Sequence, residues 1–292
     1  MVESPSAEPA IASRSLETVR DLVDPALRRF LSDRRAELAG MDPSAAVLVQ
    51  ELERLVGAGG KRIRPALCYW AFQAAGGGGG EPIVNACVAL ELLHTSALVH
   101  DDVMDRADER RGLPASHRRF AAEAPAGVDP EAFGTAAAIL VGDLALVLSE
   151  RALRLSGLRE PGLARAMTRF DRMRVEMAAG QFLDVSGTGD PARVAALKSG
   201  SYTAVGPVLI GSALAGAGAT VEGPLRVYAR LVGEAFQLRD DVVDGDAPPG
   251  SSPQVGLLVD RAVRALEGAP LLPEGEAALA ELAGLLRLLE GA

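Results

Sequence analysis

Two short acidic motifs are the part of this sequence best suited to chemistry. Both have the form DDxxD, and together they comprise Asp101, Asp102, Asp105, Asp240, Asp241 and Asp244. Positions i and i+4 of a helix lie on the same face, so the first and last aspartates of each motif can share one ligand. Apolar residues flank both motifs, and carboxylates crowded together in such surroundings are costly unless a cation neutralises them. We therefore predict that each motif binds a metal ion.

Magnesium fits these ligands best, because it prefers oxygen donors and is usually held by one or two carboxylates together with substrate phosphates. A single DDxxD is also compatible with a solvated helix end. Here the motif occurs twice, about 140 residues apart, each time at the end of an apolar stretch. The repeat favours two facing carboxylate clusters that hold a diphosphate through magnesium.

Cationic residues lie near these motifs, as a diphosphate site requires. Only two of the 30 Lys and Arg residues are lysine, namely Lys61 and Lys198. Lys61 lies in GGKRIRP, residues 59–65, while Arg110 and Arg111 come shortly after the first acidic motif. Arginine forms bidentate contacts with phosphate, whereas lysine acts as a flexible point charge. Both lysines are therefore candidates for phosphate binding.

The elements that must position these residues are predicted to be helices. Apolar residues make up 48% of the chain and aromatic residues only 4%, which favours helix over strand. Helical spacing of apolar residues indicates helices at 15–56 with a turn at 40–43, and at 64–75, 81–106, 133–156, 161–180, 191–214, 224–244, 255–267 and 274–289. No segment alternates like a strand. We expect one all-α domain at 15–292 after a disordered leader at 1–14.

Charge and hydropathy narrow the function classes. The formal net charge of -9 argues against nucleic acid or an anionic membrane as the partner. No uninterrupted apolar run reaches the roughly 18 residues expected of a membrane span. Cys68 and Cys87 lie in apolar stretches without metal-ligand spacing, which indicates buried free thiols. Because the start of the chain does not look like a secretory signal, we expect a cytoplasmic protein.

Beyond the acidic motifs, the sequence resembles the trans-isoprenyl diphosphate synthases, the polyprenyl synthetase family. The resemblance covers roughly residues 50–245 and follows one order of motifs: GGKRIRP, LLHTSALVHDDVMD with RADERRG, ILVGDLAL, GQFLD, LKSGSYT and FQLRDD. It implies a helical bundle with a central active-site cavity, and a homodimer. It also implies a transferase that joins an allylic diphosphate to isopentenyl diphosphate and forms a longer all-trans prenyl diphosphate.

The resemblance implies roles for residues at matching positions. The six aspartates would bind three magnesium ions around the allylic diphosphate. The residues that would hold that diphosphate are Arg110, Lys198 and Gln237. The residues that would bind isopentenyl diphosphate are Lys61, Arg64, His94 and Arg111. Catalysis itself would depend chiefly on Asp101, Asp102, Asp105, Lys198, Asp240 and Asp241.

The implied mechanism begins with ionisation. Cations stabilise the departing diphosphate, the isopentenyl double bond attacks the allylic carbocation, and a proton is lost. Side chains beneath the first acidic motif would limit product length, and here they are the small Ser96 and Ala97, where short-chain enzymes commonly place an aromatic residue. We therefore expect a product of twenty carbons, geranylgeranyl diphosphate, or longer. Phe133 and Phe72 are candidate floors of the tunnel.

One family motif is missing. After the second acidic motif the family usually continues through a lysine-bearing loop of the type GKPxGxDLxxGK, whereas this chain reads GDAPPGSSPQVGLL. Arg261 or Arg264 could compensate, a partner subunit could complete the site, or the activity or substrate could differ. Two other functions stay open: a class I terpene cyclase, whose second metal motif would differ from DDxxD, and a non-catalytic subunit of a heteromeric synthase.

Overall fold

Helices account for almost all of the chain in the computed structural model, which describes residues 13–245, 247 and 251–287. The side chains of residues 191, 192, 198, 199 and 244 are not among those described. The elements in chain order are α1 (Arg14–Met41), a 3-10 turn (Pro43–Ala45), α2 (Ala46–Gly57), α3 (Ile63–Ala74), α4 (Glu81–Met104), β1 (Glu109–Arg110), β2 (Leu113–Pro114), α5 (Ser116–Ala122), α6 (Pro130–Arg154), α7 (Gly162–Ser186), α8 (Pro191–Ala195), a π-helical segment (Ala196–Val205), α9 (Gly206–Leu214), α10 (Ala219–Asp244), α11 (Ser252–Arg264), α12 (Pro273–Gly284) and a 3-10 turn (Leu285–Arg287).

The central helix is α4, which is apolar around its whole circumference. Val88, Leu92 and Leu93 have no exposed surface. A helix that is apolar on every side is stable only inside the protein. Accordingly, α4 packs along α6 on one side and against α3 and α1 on the others. This packing fixes the first acidic motif, which occupies the C-terminal end of α4.

The second acidic motif lies at the end of α10, which packs against α9, α11 and the π-helical segment. The helix ends at Asp244 because Gly245 adopts a left-handed conformation with φ of 81°. Glycine adopts this conformation without steric strain, and it often terminates helices in this way. Both acidic motifs therefore lie at the C-terminal ends of helices that the core holds in place.

Two glycines allow helices to approach each other closely. A Cβ atom at Gly142 would lie 2.2 Å from His100 Nε2, where α6 crosses α4. A Cβ atom at Gly211 would lie 2.2 Å from the carbonyl oxygen of Cys68, where α9 crosses α3. At Gly211 the close atoms are backbone atoms, so this contact depends on glycine, whereas at Gly142 a side chain would require the His100 ring to move.

The arginine-rich stretch after α4 forms a hairpin. Glu109 pairs with Pro114 and Arg110 with Leu113 in a two-stranded antiparallel ladder. The two turn residues, Arg111 and Gly112, have φ values of 56° and 72°. Positive φ at both central residues is the geometry of a type I′ hairpin turn. The hairpin therefore holds Arg110 and Arg111 in fixed directions.

The predicted all-α fold is confirmed, with corrections in detail. The expectation of no strand was wrong, because each strand of the hairpin is only two residues long and leaves no alternating pattern. The loop predicted before residue 133 contains the short helix α5, and α10 begins at residue 219 rather than 224. Residues 1–12 lie outside the described residues, so the expected leader at 1–14 remains a prediction, and α1 begins at Arg14 with Ser13 as its N-cap. Cys68 and Cys87 are buried free thiols, as predicted.

Two helices are long and apolar enough, by length and composition, to cross a membrane. The sequence analysis did not predict them because polar residues interrupt their apolar runs. They are Glu81–Met104 and Pro130–Arg154, that is α4 and α6. Within the most apolar window of each helix, 72% of α4 and 44% of α6 is buried inside the protein. Burial of this extent makes α4 a core helix, and it leaves α6 with an exposed apolar face.

The contact at Gly211 generates a testable prediction. We expect Gly211→Ala to lower the free energy of unfolding by about 1–3 kcal/mol, because the added methyl group meets backbone atoms that cannot move independently. The matched control is Gly40→Ala near the end of α1, where a Cβ atom meets nothing within 4 Å. We expect the control to be neutral or stabilising by up to about 1 kcal/mol, since alanine favours helix. Urea unfolding of both variants measures the difference, and equal stability would contradict the close α3–α9 contact.

Candidate active site

A cavity of about 620 Å³ lies between α4, α6, α7 and the π-helical segment. Its wall has a polar part and an apolar part. The polar part includes Arg64, His94 and Asp101, and the apolar part includes Leu146, Met177 and Phe182. Sites of this size with a few polar groups on an otherwise apolar wall are typical of small-molecule binding. The arrangement suits a ligand with an anionic head and a hydrocarbon tail.

The last turn of α4 separates its three aspartates into different environments. Asp101 lines the cavity, and Asp105, the C-cap residue, is exposed. Asp102 is only 2% exposed, and it accepts hydrogen bonds from Arg110 Nε at 2.8 Å and Arg110 Nη2 at 2.5 Å. Its carboxylate thus has a cationic partner in the interior, and the metal-binding role expected of Asp102 remains a prediction. Arg110 keeps about a third of its side chain exposed, so it can still meet a second anion.

The second acidic motif is half-buried. Asp240 and Asp241 occupy the last turn of α10, and Gln237 Nε2 donates a hydrogen bond of 2.7 Å to Asp241 Oδ1. The side chain of Asp244 lies outside the described residues, so its expected role as a ligand remains a prediction. Gln237 is therefore one turn from the carboxylates and is oriented by one of them.

Both motifs lie where negative charge is least favoured. The C-terminal turn of a helix has a partial negative charge from its unpaired carbonyl groups. Cations near this end are stabilising, yet neither α4 nor α10 has a basic residue in its last turn. The two helix ends thus concentrate negative charge that a divalent cation would offset.

The donor atoms of the two acidic motifs suit some metals better than others. Among the side chains that the structure describes, no three His, Cys, Asp or Glu residues converge to hold a metal by themselves. Magnesium does not need such a cage, because it keeps several waters and binds through one or two carboxylates and substrate phosphates. The aspartates of the two motifs offer oxygen donors only. They fit magnesium shared with a phosphate ligand better than a structural metal.

The turn before α3 supplies cationic residues. Arg62 has a left-handed backbone, with φ of 52° and ψ of 35°, and its side chain is 2% exposed. Its guanidinium donates to Asp24 at 2.8 Å, to Glu91 at 2.5 Å and to the carbonyl of Val56 at 2.9 Å. Arg62 is thereby committed to the interior. The residues on either side of it, Lys61 and Arg64, are exposed and half-buried respectively, and Arg64 lines the cavity.

Arg111 approaches the same region from the hairpin. Its Nη1 donates a hydrogen bond to the carbonyl oxygen of Gly59. Burial lowers the pKa of Arg111, and repulsion from Arg62 and Arg110 lowers it further, although the carboxylate of Glu91 opposes both effects. Guanidinium groups close enough to perturb one another create a positive potential that attracts a polyanion.

His94 and Tyr202 are hydrogen-bonded through His94 Nδ1 and the tyrosine hydroxyl, although they are 108 residues apart. The Arg64 guanidinium lies over the Tyr202 ring at 4.1 Å and donates to Thr203 Oγ1 at 3.1 Å. Burial lowers the pKa of His94 well below its usual range, and the positive charges of Arg64 and Arg111 add to the effect. Burial also raises the pKa of Tyr202 to about 12. Both side chains are therefore neutral at pH 7.

The hydrogen bond selects one tautomer of His94. In the part of the chain that the structure describes, the Tyr202 hydroxyl has no second hydrogen-bond partner, and it is 7% exposed. Buried donors are almost always satisfied, so the hydroxyl donates its proton to His94 Nδ1. The ring proton of the neutral imidazole is then on Nε2. His94 lines the cavity, and this tautomer presents an N–H donor to it.

Lys198 lies in the π-helical segment, four residues before Tyr202. Its side chain lies outside the described residues, so the expected contact with a diphosphate remains a prediction. π-Helical turns are rare and occur mostly at functional sites. Here the segment packs closely on α10, since a Cβ atom at Gly233 would lie 3.0 Å from the carbonyl oxygen of Gly200.

Ser96 and Ala97 line the cavity, which is where the expected chain-length positions should be. The two candidate floors do not line it. Phe133 packs edge-on against Phe120 with 6.4 Å between ring centroids, and Phe72 is buried in the core on α3. The cavity is therefore closed by other residues.

Arg261 and Arg264 were the candidates to compensate for the lysine of the loop that is missing after the second acidic motif. Both lie in the last turn of α11 and are exposed. At 1.5 Å per residue, Arg261 is about 14 Å and Arg264 about 18 Å along the helix from its first residue, Ser252. The compensation considered from the sequence is thus not supported by their position.

Several site residues were not identified from the sequence. Tyr202 and Thr203 lie within LKSGSYT, but a hydrogen bond that spans 108 residues leaves no local pattern. Gln181 lies within GQFLD, and its Nε2 contacts Met104 Sδ at 3.5 Å at the end of the cavity nearest Asp101. Arg174 also lines the cavity. For Tyr202, Thr203 and Gln181, the only signal in the sequence was that each lies within a recognised motif.

Comparison with known proteins places this geometry in context. The model of the family described as polyprenyl synthetase matches residues 45–251. The chain is 36% identical over 203 residues to geranylgeranyl diphosphate synthase of Methanosarcina mazei, covering 66% of this chain and 57% of that protein. It is 29% identical over 258 residues to short chain isoprenyl diphosphate synthase of Methanothermobacter thermautotrophicus, covering 83% and 75%. The chain thus spans little more than half the length of the first of these relatives.

Solved structures show the same fold. Geranylgeranyl pyrophosphate synthase of Corynebacterium glutamicum, solved in complex with isoprenyl diphosphate and magnesium, superposes with a TM-score of 0.82. It is 27% identical, and the match covers 94% of this chain and 98% of that chain. Geranylgeranyl pyrophosphate synthetase of Pyrococcus horikoshii superposes with a TM-score of 0.74 at 21% identity, covering 95% and 100%. The second likeness concerns the fold alone.

The His94 tautomer can be tested by ¹⁵N NMR of the histidine ring nitrogens. We expect Tyr202→Phe to change the Nδ1 signal of His94, because Nδ1 loses its donor and the ring can then populate both tautomers. We also expect the free energy of unfolding to fall by about 1 kcal/mol. The control is Tyr69→Phe, which removes a hydroxyl that accepts from Gln73 and does not contact His94. An unchanged His94 spectrum in Tyr202→Phe would refute the tautomer assignment.

Proposed function

Because the chain belongs to the polyprenyl synthetase family, we propose that it is a trans-prenyltransferase. It condenses an allylic diphosphate with isopentenyl diphosphate and releases a longer all-trans prenyl diphosphate. The observation that supports this proposal most strongly is the division of the cavity wall. The Asp101 carboxylate and the Arg64 guanidinium line the cavity together with His94, where the diphosphates would bind, and apolar residues such as Leu146 and Met177 line it as well, where a hydrocarbon chain would lie.

The acidic end would hold the allylic diphosphate through magnesium. The proposed ligands are Asp101, Asp105, Asp240, Asp241 and Asp244, and three ions are expected from the family resemblance. When bound, magnesium neutralises the charge that develops on the departing diphosphate. Asp102 holds Arg110 beside this site by a bidentate ion pair, and Lys198 and Gln237 complete the expected contacts with the same diphosphate.

The cationic end would bind isopentenyl diphosphate through Lys61, Arg64, His94 and Arg111. The arginines supply fixed positive charge, since Arg62 anchors the turn and the hairpin fixes Arg111. Neutral His94 adds an N–H donor rather than a charge. A neutral donor can bind a phosphate oxygen at the edge of the apolar wall without placing another cation beside the allylic carbocation.

The carbocation would form next to apolar side chains, which keep water from trapping it. Leu146 and Met177, both half-buried, provide this environment on the cavity wall. No side chain of the wall is needed as a covalent nucleophile. The proton released after the new bond forms can pass to the diphosphate that has just departed, which remains beside the reacting carbon.

The small residues Ser96 and Ala97 support a product of twenty carbons or more. Both line the cavity, so the growing chain can pass the first level of α4 side chains below Asp101. The geranylgeranyl diphosphate synthase names of similar proteins agree with this length. We also propose a cytoplasmic location, because buried free thiols at Cys68 and Cys87 suit a reducing compartment.

A second candidate is favoured by one observation, the lysine-bearing loop that is missing after the second acidic motif. A chain of this family without that loop could serve as a non-catalytic subunit of a heteromeric synthase. The retained carboxylates of both motifs and the retained arginines argue for catalysis, because a purely structural subunit would not need them.

We propose that the enzyme is a homodimer that associates through α6. Exposed apolar residues form one stripe on this helix: Ile139, Leu140 and Val147 are 42%, 54% and 63% exposed. The nearby Val175 of α7 is 68% exposed. Contiguous apolar surface of this kind marks a protein interaction site. A second copy of the chain is the occupant expected from the family resemblance.

The activity is tested by mass spectrometry of the products formed from magnesium, isopentenyl diphosphate and each of dimethylallyl, geranyl and farnesyl diphosphate. We expect elongated diphosphates. Asp101→Asn should lower turnover by at least on the order of a hundredfold, because a ligand of the cation beside the leaving group is lost. The control is Asp33→Asn, an exposed position on α1. Cyclic hydrocarbons would instead indicate a terpene cyclase, and a lack of product with every allylic substrate would favour the non-catalytic subunit.

The dimer is tested by light scattering after size-exclusion chromatography. The wild type is expected at twice the chain mass of 30.3 kDa. Leu140→Arg should shift the mass towards the monomer, because a charge that must be buried in the interface opposes association. The control is Leu257→Arg, since Leu257 is 60% exposed on α11, away from α6. A monomeric wild type, or equal masses for the two variants, would contradict an interface on α6.

A further inference from the structure

Arg174 of α7 is a charged residue on the cavity wall, outside the two acidic motifs and the cationic cluster. We propose that Arg174, paired with Glu150, forms a polar floor that stops the prenyl chain from growing further. This inference rests on the proposed function, because it names the residue that sets the length of the product. It arises from the geometry of α6 and α7.

Contacts between helices locate this pair relative to the acidic end. His100, next to Asp101, approaches α6 at Ile139 and Gly142. Glu150 is eight residues beyond Gly142, which is about 12 Å along α6. The wall that α4 and α6 form therefore extends from Asp101 towards Glu150.

The position of Arg174 on α7 agrees with this direction. Gln181 contacts Met104 at the acidic end, and Arg174 lies seven residues before Gln181, or about 10 Å along the helix. A helical side chain points towards the N-terminus of its own helix, so the guanidinium lies deeper than its Cα atom. Arg174 Nη1 meets Glu150 Oε2 at 2.8 Å across the gap between α7 and α6.

The guanidinium is held in place from several sides. Besides Glu150, it contacts the carboxylate of Asp171 one turn earlier on α7. It also lies over the ring of Phe170 at 4.9 Å. Only 20% of the Arg174 side chain is exposed, compared with 43% for Glu150 and 59% for Asp171. The carboxylates thus face the solvent side of the gap, and the arginine forms the boundary towards the cavity.

A charged boundary is an effective stop for a hydrocarbon chain. Among the described side chains of the cavity wall, Arg64 and Asp101 are charged and belong to the diphosphate end, and Arg174 is the other Arg, Lys, Asp or Glu residue. A prenyl tail that reached past it would remove water from the guanidinium and its carboxylate partners without offering a hydrogen bond in return. Beside Ser96 and Ala97 the tail meets no such obstacle. Chain growth should therefore continue past α4 and end at Arg174.

Arg174→Met tests the floor, because methionine has a similar length and no charge. We expect its longest main product to exceed that of the wild type by at least one five-carbon unit under identical conditions. Arg174→Lys keeps a cation at the floor and should keep the wild-type length. The matched control is Arg172→Met on the same helix, since Arg172 is 80% exposed and pairs with Glu176. Circular dichroism confirms that each variant is folded.

A binding measurement separates this inference from the proposed activity. Prenyl diphosphates of fifteen, twenty, twenty-five and thirty carbons are titrated with magnesium in the absence of isopentenyl diphosphate. In the wild type, affinity should rise with chain length and then stop rising at the floor. In Arg174→Met the rise should continue for one further unit, with roughly tenfold or greater gain in affinity from the newly buried carbons.

The outcomes are distinct. Longer products and an extended affinity series in Arg174→Met alone support the floor. The same shift in affinity without any elongation by the wild type would support the floor while refuting the proposed activity. Unchanged product length together with an unchanged affinity series would overturn the floor, and so would an equal lengthening in Arg172→Met. If Arg174→Met does not fold, Arg174→Gln replaces it in both measurements.

Discussion

The cationic half of the site depends on a buried guanidinium at the start of α3. Arg62 has a left-handed backbone, which costs a residue other than glycine about 1–2 kcal/mol and persists only where its surroundings impose it. Burial alone would lower the pKa of Arg62, but the carboxylates of Glu91 and Asp24 outweigh this effect and raise it. These ion pairs join the turn to α4 and α1. The chain must therefore enter α3 in one direction, which places Lys61 and Arg64 on either side of a fixed residue. A cluster of like charges is stable here because its most buried cation is paired with two protein carboxylates.

The hairpin beside the acidic motif is fixed by the same kind of interaction. Asp102 holds Arg110 of β1, and Glu51 of α2, which has no exposed surface, accepts hydrogen bonds from Arg54, Ser116 and Arg119. Burial would raise the pKa of Glu51, but these bonds lower it, so the carboxylate stays charged and ties α2 to α5. The hairpin between α4 and α5 is thereby anchored at both ends. Buried acids position the arginines of the hairpin and of α5, while Asp101 lines the cavity and Asp105 is exposed. Within the first acidic motif, Asp102 therefore positions an arginine, whereas Asp101 lines the cavity.

The fold class and the location of both acidic motifs could be predicted from the sequence, because they follow from local patterns. Apolar spacing predicts helices, and DDxxD at the end of an apolar helix predicts carboxylates at a helix terminus. The burial of Asp102 could also have been predicted from the sequence, since Thr95, Val99 and Asp102 follow the spacing of one helical face. All three are buried. The hairpin was missed because two-residue strands leave no period. The pairings of Tyr202 with His94 and of Arg174 with Glu150 could not be predicted, because they join positions that are distant in the sequence. Nothing in the local sequence distinguishes Arg174 from the other arginines.

The two walls of the cavity belong to different packing units, and this explains how the tail site can vary while the fold persists. One wall is formed by α4 and α6, which pack together along their length, and the other is formed by α7, which packs on α9 and the π-helical segment. α6 and α7 make few direct contacts, so side chains that bridge the gap, such as the Arg174–Glu150 pair, help to set its width. A substitution on α7 facing the cavity changes the space for the tail without opening the core around α4. At the acidic end the constraint is opposite, because buried ion pairs and close glycine contacts fix the backbone there. The chemistry at one end is therefore rigid, whereas the length of chain admitted at the other end depends on a few side chains.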